Sequence, residues 1–167
     1  VVTVNLPRIA LKSNGDKDLF WQIFDEEMQV AKSALVFKVK RVLDASPENA
    51  PILYQFGAFG KRLKPDGNVD ELFKNGRATV SLGYIGLYEV GTSFYGPDWE
   101  NNQEAHDFTL QIVKELNLRC KAWSKEYNYH FSVYSTPSES LTDRFCKLDT
   151  ERFGKVKDIT DKEYYTN

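Results

Sequence analysis

The sequence holds 167 residues, 41% apolar and 14% aromatic, with 22 basic and 24 acidic side chains and a net charge of −2. That length and aromatic content fit one domain with a sizeable core and exclude wholesale disorder. The balanced charge excludes a general attraction to polyanions or membrane surfaces, and no apolar run approaches the ~20 residues of a membrane span.

Val1-Val2-Thr3-Val4 opens inside what reads as a buried strand, extending to Leu6 before Pro7 ends regular pairing. With neither polar lead-in nor tail, the chain is expected to be an internal part of a longer protein. Asp16 is a good N-cap, and Leu19, Phe20, Ile23, Phe24, Val30, Ala31, Ala34, Leu35, Val42 and Leu43 form one apolar face, predicting a helix over Lys17 to Asp44. Ser46 to Asn49 breaks it. Ile52 to Phe56 fits a strand or a helix equally, and Gly57, Gly60, Pro65-Asp66-Gly67 and Gly76 mark loops with a turn at Pro65 to Asn68. Arg77 to Leu82 reads as a second buried strand running into Gly83-Tyr84-Ile85-Gly86, where glycine allows close backbone approach or unusual dihedrals. A short helix over Tyr88 to Phe94, a turn at Gly96-Pro97-Asp98, and a long helix from Asn102 to Tyr127 follow. The long helix carries Phe108, Ile112, Leu116, Cys120 and Trp123 on one face. Tyr129 to Ser135 is the third strand, and Thr136 to about Arg152 the last helix. Long helices between strands predict an α/β layout with parallel neighbours. Three strands do not close a barrel, so further strands are expected outside this sequence.

The sharpest local pattern is Ser135-Thr136-Pro137-Ser138-Glu139-Ser140. Thr136 as N-cap, Pro137 in the first turn and Glu139 three residues on make a capping box. One reading is a well-capped helix. The other is a phosphate site built from the Ser138 to Ser140 amides, their hydroxyls and the helix dipole, against which the Glu139 charge counts. Gly83 to Gly86 is too short for a dinucleotide fingerprint and reads as a packing turn. Asn5, polar among apolar neighbours, must be hydrogen-bonded to structure or to a ligand. Cys120 and Cys146 cannot make a disulfide framework or alone close a zinc site, and they read as reduced, inert packing residues of a cytoplasmic protein. His106 and His130 lack metal-ligand spacing and read as surface or structural. Arg8 and Arg144, each close to a candidate site, are expected in plain salt bridges.

Three blocks together resemble a known family. Val4-Asn5-Leu6-Pro7-Arg8-Ile9-Ala10, Ser81-Leu82-Gly83-Tyr84-Ile85-Gly86-Leu87-Tyr88-Glu89 and Tyr134 through Phe145 look like successive blocks of the anaerobic (class III) ribonucleoside-triphosphate reductases, catalytic subunit, T-even phage type. Ile159 to Asn167 is similar as well, so the likeness spans the chain. It implies a section, residues 1–167, of a ten-stranded α/β barrel of the glycyl-radical type. It implies reduction of ribonucleoside triphosphates to deoxyribonucleoside triphosphates: a glycyl radical generates a thiyl radical on a finger-loop cysteine, and formate supplies the reducing equivalents. The radical cysteines, the glycyl radical and the structural zinc ligands are all expected outside this sequence. Neither Cys120 nor Cys146 matches a radical cysteine, and the isolated chain is expected to be inactive. By matching, Thr136, Pro137, Ser138, Glu139 and Ser140 are expected to hold the substrate's phosphates. Asn5 would face the ribose, with the Thr3/Asn5 face of its strand looking into the barrel. The implied partners are allosteric nucleotides, an iron–sulfur S-adenosylmethionine activating enzyme and a second copy in a homodimer, with neither nucleic acid nor membrane. Two alternatives remain open at this point, another glycyl-radical barrel of the formate-lyase type and a non-catalytic nucleotide-binding module.

Overall fold

The computed structural model describes residues 1–137 and 140–167. Three strands, β1 (Val2–Asn5), β2 (Thr79–Ile85) and β3 (His130–Ser135), lie side by side in that order and run parallel. The register pairs Thr3 with Gly83 and Gly83 with Tyr134, so each strand ends at the same edge of the sheet. Parallel neighbours need long crossovers. The helices α1 (Leu6–Ser13) and α2 (Lys17–Leu43) lie between β1 and β2, and α4 (Leu87–Tyr95) and α5 (Gln103–Tyr127) between β2 and β3. A four-residue α3 (Pro51–Tyr54) and short 3₁₀ turns fill the first loop, and α6 (Ser140–Phe153) follows β3.

The two long helices start where their caps dictate. Asp16 accepts hydrogen bonds from the Asp18 and Leu19 amides, and Asn102 from those of Glu104 and Ala105. Phe20, Phe24, Met28, Ala31, Leu35 and Val39 then recur every three or four residues along α2, as do Ala105, Phe108, Ile112, Leu116, Cys120 and Trp123 along α5. These stripes meet Val4, Val80, Leu82 and Phe131 of the sheet in one core, with Phe108 ringed by Phe20 and Phe94 at 5.4 and 5.0 Å. Full burial of each such large side chain is worth about 1.5–3 kcal/mol.

Three boundaries differ from expectation, and one open alternative resolves. Leu6–Ser13 is a helix, not an exit from the strand: Asn5 caps it, and Pro7 in its first turn lacks only an amide hydrogen that has no helical partner there. Ile52 to Phe56 resolves in part as the helical turn α3. The strand β2 runs through Gly83 to Ile85 rather than stopping at Leu82. Finally, Thr136 and Pro137 are not helical, and α6 spans Ser140–Phe153. The Thr136 amide continues the sheet instead, donating to the Tyr84 carbonyl at 3.2 Å.

The sheet has one apolar face and one that is polar up to Ile85. Val4, Val80, Leu82 and Phe131 meet α2 and α5. The other face carries Thr3, Asn5, Ser81, Gly83, Ser132 and Tyr134, alternate residues in register across the strands, and ends in the fully buried Ile85, which packs on Cys146, Ile159 and Tyr165. Among the described residues no helix is long and apolar enough to cross a membrane.

Candidate functional site

The carboxyl ends of the three strands bring together Asn5, Ile85-Gly86 and Ser135-Thr136, which lie 80 and about 50 residues apart in sequence. Thr3 and Thr136 approach from the two outer strands, their hydroxyl oxygens 3.2 Å apart over Gly83. The glycine is what lets them meet: a Cβ there would overlap Thr136 Oγ1 and come within 2.7 Å of Thr3 Oγ1. Gly86 has φ +75°, and a Cβ on it would run into the Pro7 ring. The block is therefore not the expected turn: Gly83 to Ile85 finish β2 and Gly86 caps α4, and the glycines serve specific close approaches.

Asn5 is hydrogen-bonded at both ends of its amide. Its Oδ1 accepts from the Arg8 amide at 3.2 Å, and its Nδ2 donates to Asp149 Oδ2 at 2.7 Å. Arg8 is in the expected salt bridge, its Nε 2.6 Å from Asp149 Oδ1. The Tyr165 hydroxyl completes the set, donating to Asp149 Oδ2 at 3.0 Å. Burial first, and the adjacent Asp149 charge second, push the Tyr165 phenol far up, so it stays protonated and remains a donor.

A second fully buried carboxylate, Glu89, lies on α4 in the first turn after Gly86. It accepts from Lys162 Nζ, from the Thr166 amide at 3.0 Å and from the Thr166 hydroxyl at 2.7 Å. Gly86 in turn donates its amide to the Thr166 carbonyl at 2.7 Å. The last residues, 159–166, thus strap across the ends of the strands, with Ile159 and Tyr165 packed on Ile85 and Cys146. Neither Glu89 nor Asp149 carries a local signal. Each sits among the ordinary charges of an amphipathic helix; the partners of Glu89 lie 73 and 77 residues away, and those of Asp149 lie 144, 141 and 16 residues away.

The other candidates divide as follows. Cys120 and Cys146 are both buried and free, and burial raises both thiols, Cys120 to about 11. Cys146 Sγ donates to the Lys162 carbonyl at 3.2 Å. His106 Nε2 lies 2.7 Å from the Glu100 carbonyl oxygen, and His130 is exposed. Arg144 is exposed, its guanidinium 6.0 Å from the Phe145 ring centroid. Of the proposed phosphate-holding residues, Thr136 is buried, Pro137 and Ser140 are exposed, and Ser138 and Glu139 lie outside the described residues. Among the described residues no group of three or more His, Cys, Asp or Glu side chains could hold a metal ion.

A family model described as "Anaerobic ribonucleoside-triphosphate reductase" matches residues 1–167. Curated relatives of that name from Haemophilus influenzae, Escherichia coli and phage T4 are 48%, 47% and 46% identical along the entire chain. The chain spans about a quarter of their length, 24%, 24% and 27%. A solved anaerobic ribonucleotide reductase matches 98% of the chain and 24% of its own, with a TM-score of 0.70 at 22% identity. The Thermotoga maritima reductase in complex with dATP and CTP matches 98% of this chain and 25% of its own, at 0.69 and 22%. These two establish likeness of fold.

Proposed function

The chain belongs to the anaerobic ribonucleoside-triphosphate reductase family, and we propose that it forms part of the catalytic barrel of a longer enzyme that reduces ribonucleoside triphosphates to deoxyribonucleoside triphosphates. The observation that carries this reading is the convergence of Asn5, the Gly83–Gly86 block and Thr136 at the carboxyl ends of three parallel strands. That edge is where α/β sheets bind ligands. The family match weighs against the formate-lyase alternative.

In this reading the polar face of the sheet, from Thr3 to Tyr134, looks into a ten-stranded barrel. Thr136 is tied to β1 and β2 through its hydroxyl and its amide. Residues Thr136 to Ser140 then hold the triphosphate ahead of α6, where the helix dipole favours an anion. Asn5 offers the ribose the hydrogen-bonding capacity left after its two internal bonds. The radical chemistry and the formate that supplies reducing equivalents belong to parts of the longer enzyme outside this chain. The longer enzyme would take up allosteric nucleotides, an activating enzyme and a second copy, and would work in the cytoplasm.

The test is kinetic, in the full-length anaerobic enzyme. Ser140→Glu places a negative charge at the amino end of α6. It is expected to raise KM for the ribonucleoside triphosphate by about tenfold or more, the factor that 1.4 kcal/mol of lost binding produces. The circular dichroism spectrum should not change. An unchanged KM would remove the phosphate role from these residues.

A further inference from the structure

Asp149 joins α6 to the Asn5–Arg8 segment, 141 to 144 residues away, and to Tyr165, 16 residues further on. It is fully buried on α6, and Asn5, Arg8 and Tyr165 all donate to it. The two atoms that Asn5 addresses fix which way its amide faces. The Arg8 amide needs an acceptor, and the Asp149 carboxylate needs a donor. A flipped amide would set oxygen against carboxylate and NH₂ against N–H. The neutral amide has two N–H donors and two acceptor lone pairs. Asp149 takes one donor and Arg8 one lone pair, which leaves one N–H and one lone pair in a fixed direction.

Resting on the reading of Asn5 as a ribose contact, we infer that Asp149 is the positioning residue for the Asn5 amide, with Tyr165 holding the same carboxylate oxygen that Asn5 addresses. Asp149 itself touches no substrate. Its carboxylate locks the Asn5 side chain so that the remaining N–H is presented to a substrate oxygen without rotational search. Arg8 balances the buried charge through Oδ1 and leaves Oδ2 to Asn5 and Tyr165. The strap residue Tyr165 thereby becomes part of the same device: the terminal segment that closes over Glu89 also sets the Asn5 amide.

The experiment is a double-mutant cycle in the full-length enzyme, at a temperature where every variant is folded. Asp149→Asn is expected to lower kcat by about 10–100-fold, the scale of a misplaced reacting contact, with KM nearly unchanged. In an Asn5→Ala background the same change is expected to cost less than about threefold, because there is no amide left to position. A merely structural Asp149 gives losses that multiply in the two backgrounds, and that result overturns the inference. Should Asp149→Asn fail to fold, Tyr165→Phe decides, since it keeps the carboxylate and its bonds to Arg8 and Asn5. Its expected loss of kcat, about twofold to fivefold for one hydrogen bond at one remove, disappears in the Asn5→Ala background. Persistence there overturns the inference. An Asn5→Ala enzyme with unchanged kcat refutes the ribose contact itself and the positioning with it. A lowered kcat combined with multiplying losses refutes the positioning alone.

Discussion

Cys120 ties burial to a measurable pH dependence. It packs between Leu116 and Trp123 on α5 at 2% exposure, and burial moves its thiol from 9.0 to about 11. Between those values the unfolded chain has lost the proton that the folded chain still holds. This contribution is therefore complete below pH 9 and is lost as the pH rises to 11, on the order of 2 kcal/mol in total. Denaturant unfolding at pH 8, 9 and 10 should show stability falling with pH, and Cys120→Ala should reduce that slope, leaving the share of Cys146, whose thiol burial also raises from 9.0. Tyr129, raised to about 12 by burial and Asp70, adds its own loss only above pH 10. An equal slope in the variant would show that the thiol is not the titrating group. The inert character of this cysteine was legible because a helical stripe is a local pattern. That Asn5 must be hydrogen-bonded was legible too. Its partner was not, because a buried aspartate 144 residues away is placed by the fold and leaves no mark on neighbouring residues.

The joint between β2 and α4 depends on two glycines for different reasons. Gly83→Ala wedges a methyl group between the Thr3 and Thr136 hydroxyls and should cost about 1–3 kcal/mol, as overpacking does. Gly86→Ala adds a left-handed backbone penalty to a collision with the rigid Pro7 ring, and should cost more. Thermal unfolding of the two variants tests the order, and a Gly86→Ala protein as stable as the parent would show that the joint relaxes freely. The strap makes a parallel case for charge. Lys162→Met leaves Glu89 fully buried with only the Thr166 donors. Lysine is itself 32% exposed, so the loss should fall below that of a fully buried pair, about 2–3 kcal/mol. Glu89→Gln in the same chain should recover part of it, because the unpaired charge is then gone; a further loss would mean that the carboxylate matters beyond its pairing with lysine. At this scale the long helices could be read from periodicity and caps. The helix Leu6–Ser13 could have been found from Asn5 and Pro7, which suit an N-cap and a first turn as well as they suit the end of a strand. The start of α6 is different. The capping pattern favoured Thr136, whereas the sheet takes the Thr136 amide and hydroxyl for itself, a tertiary preference that local pattern does not express.

The whole molecule has the form of a sheet that other strands can continue. Among the described residues β1 and β3 each pair on one side only. A groove of about 180 Å³ follows the free edge of β1 between α2 and Phe145. Apart from Ile85, which the 159–166 segment covers, the face opposite α2 and α5 is polar, as the inner wall of a barrel would be. Parallel order was legible from the long helices between strands, but closure cannot be read from three strands. Closure does predict a contrast in backbone protection. Outward amides of an unpaired edge exchange with solvent, while those hydrogen-bonded to a neighbouring strand exchange only when the sheet opens. Hydrogen exchange on peptides covering residues 1–6 and 130–135 should therefore be slower in the full-length enzyme than in this chain alone, by about tenfold or more for the outward amides. The β2 peptide, already paired on both sides, serves as the internal reference and should change far less. Equal exchange of the β1 and β3 peptides in the two proteins would mean that no strand continues the sheet, and the barrel assignment would then fail.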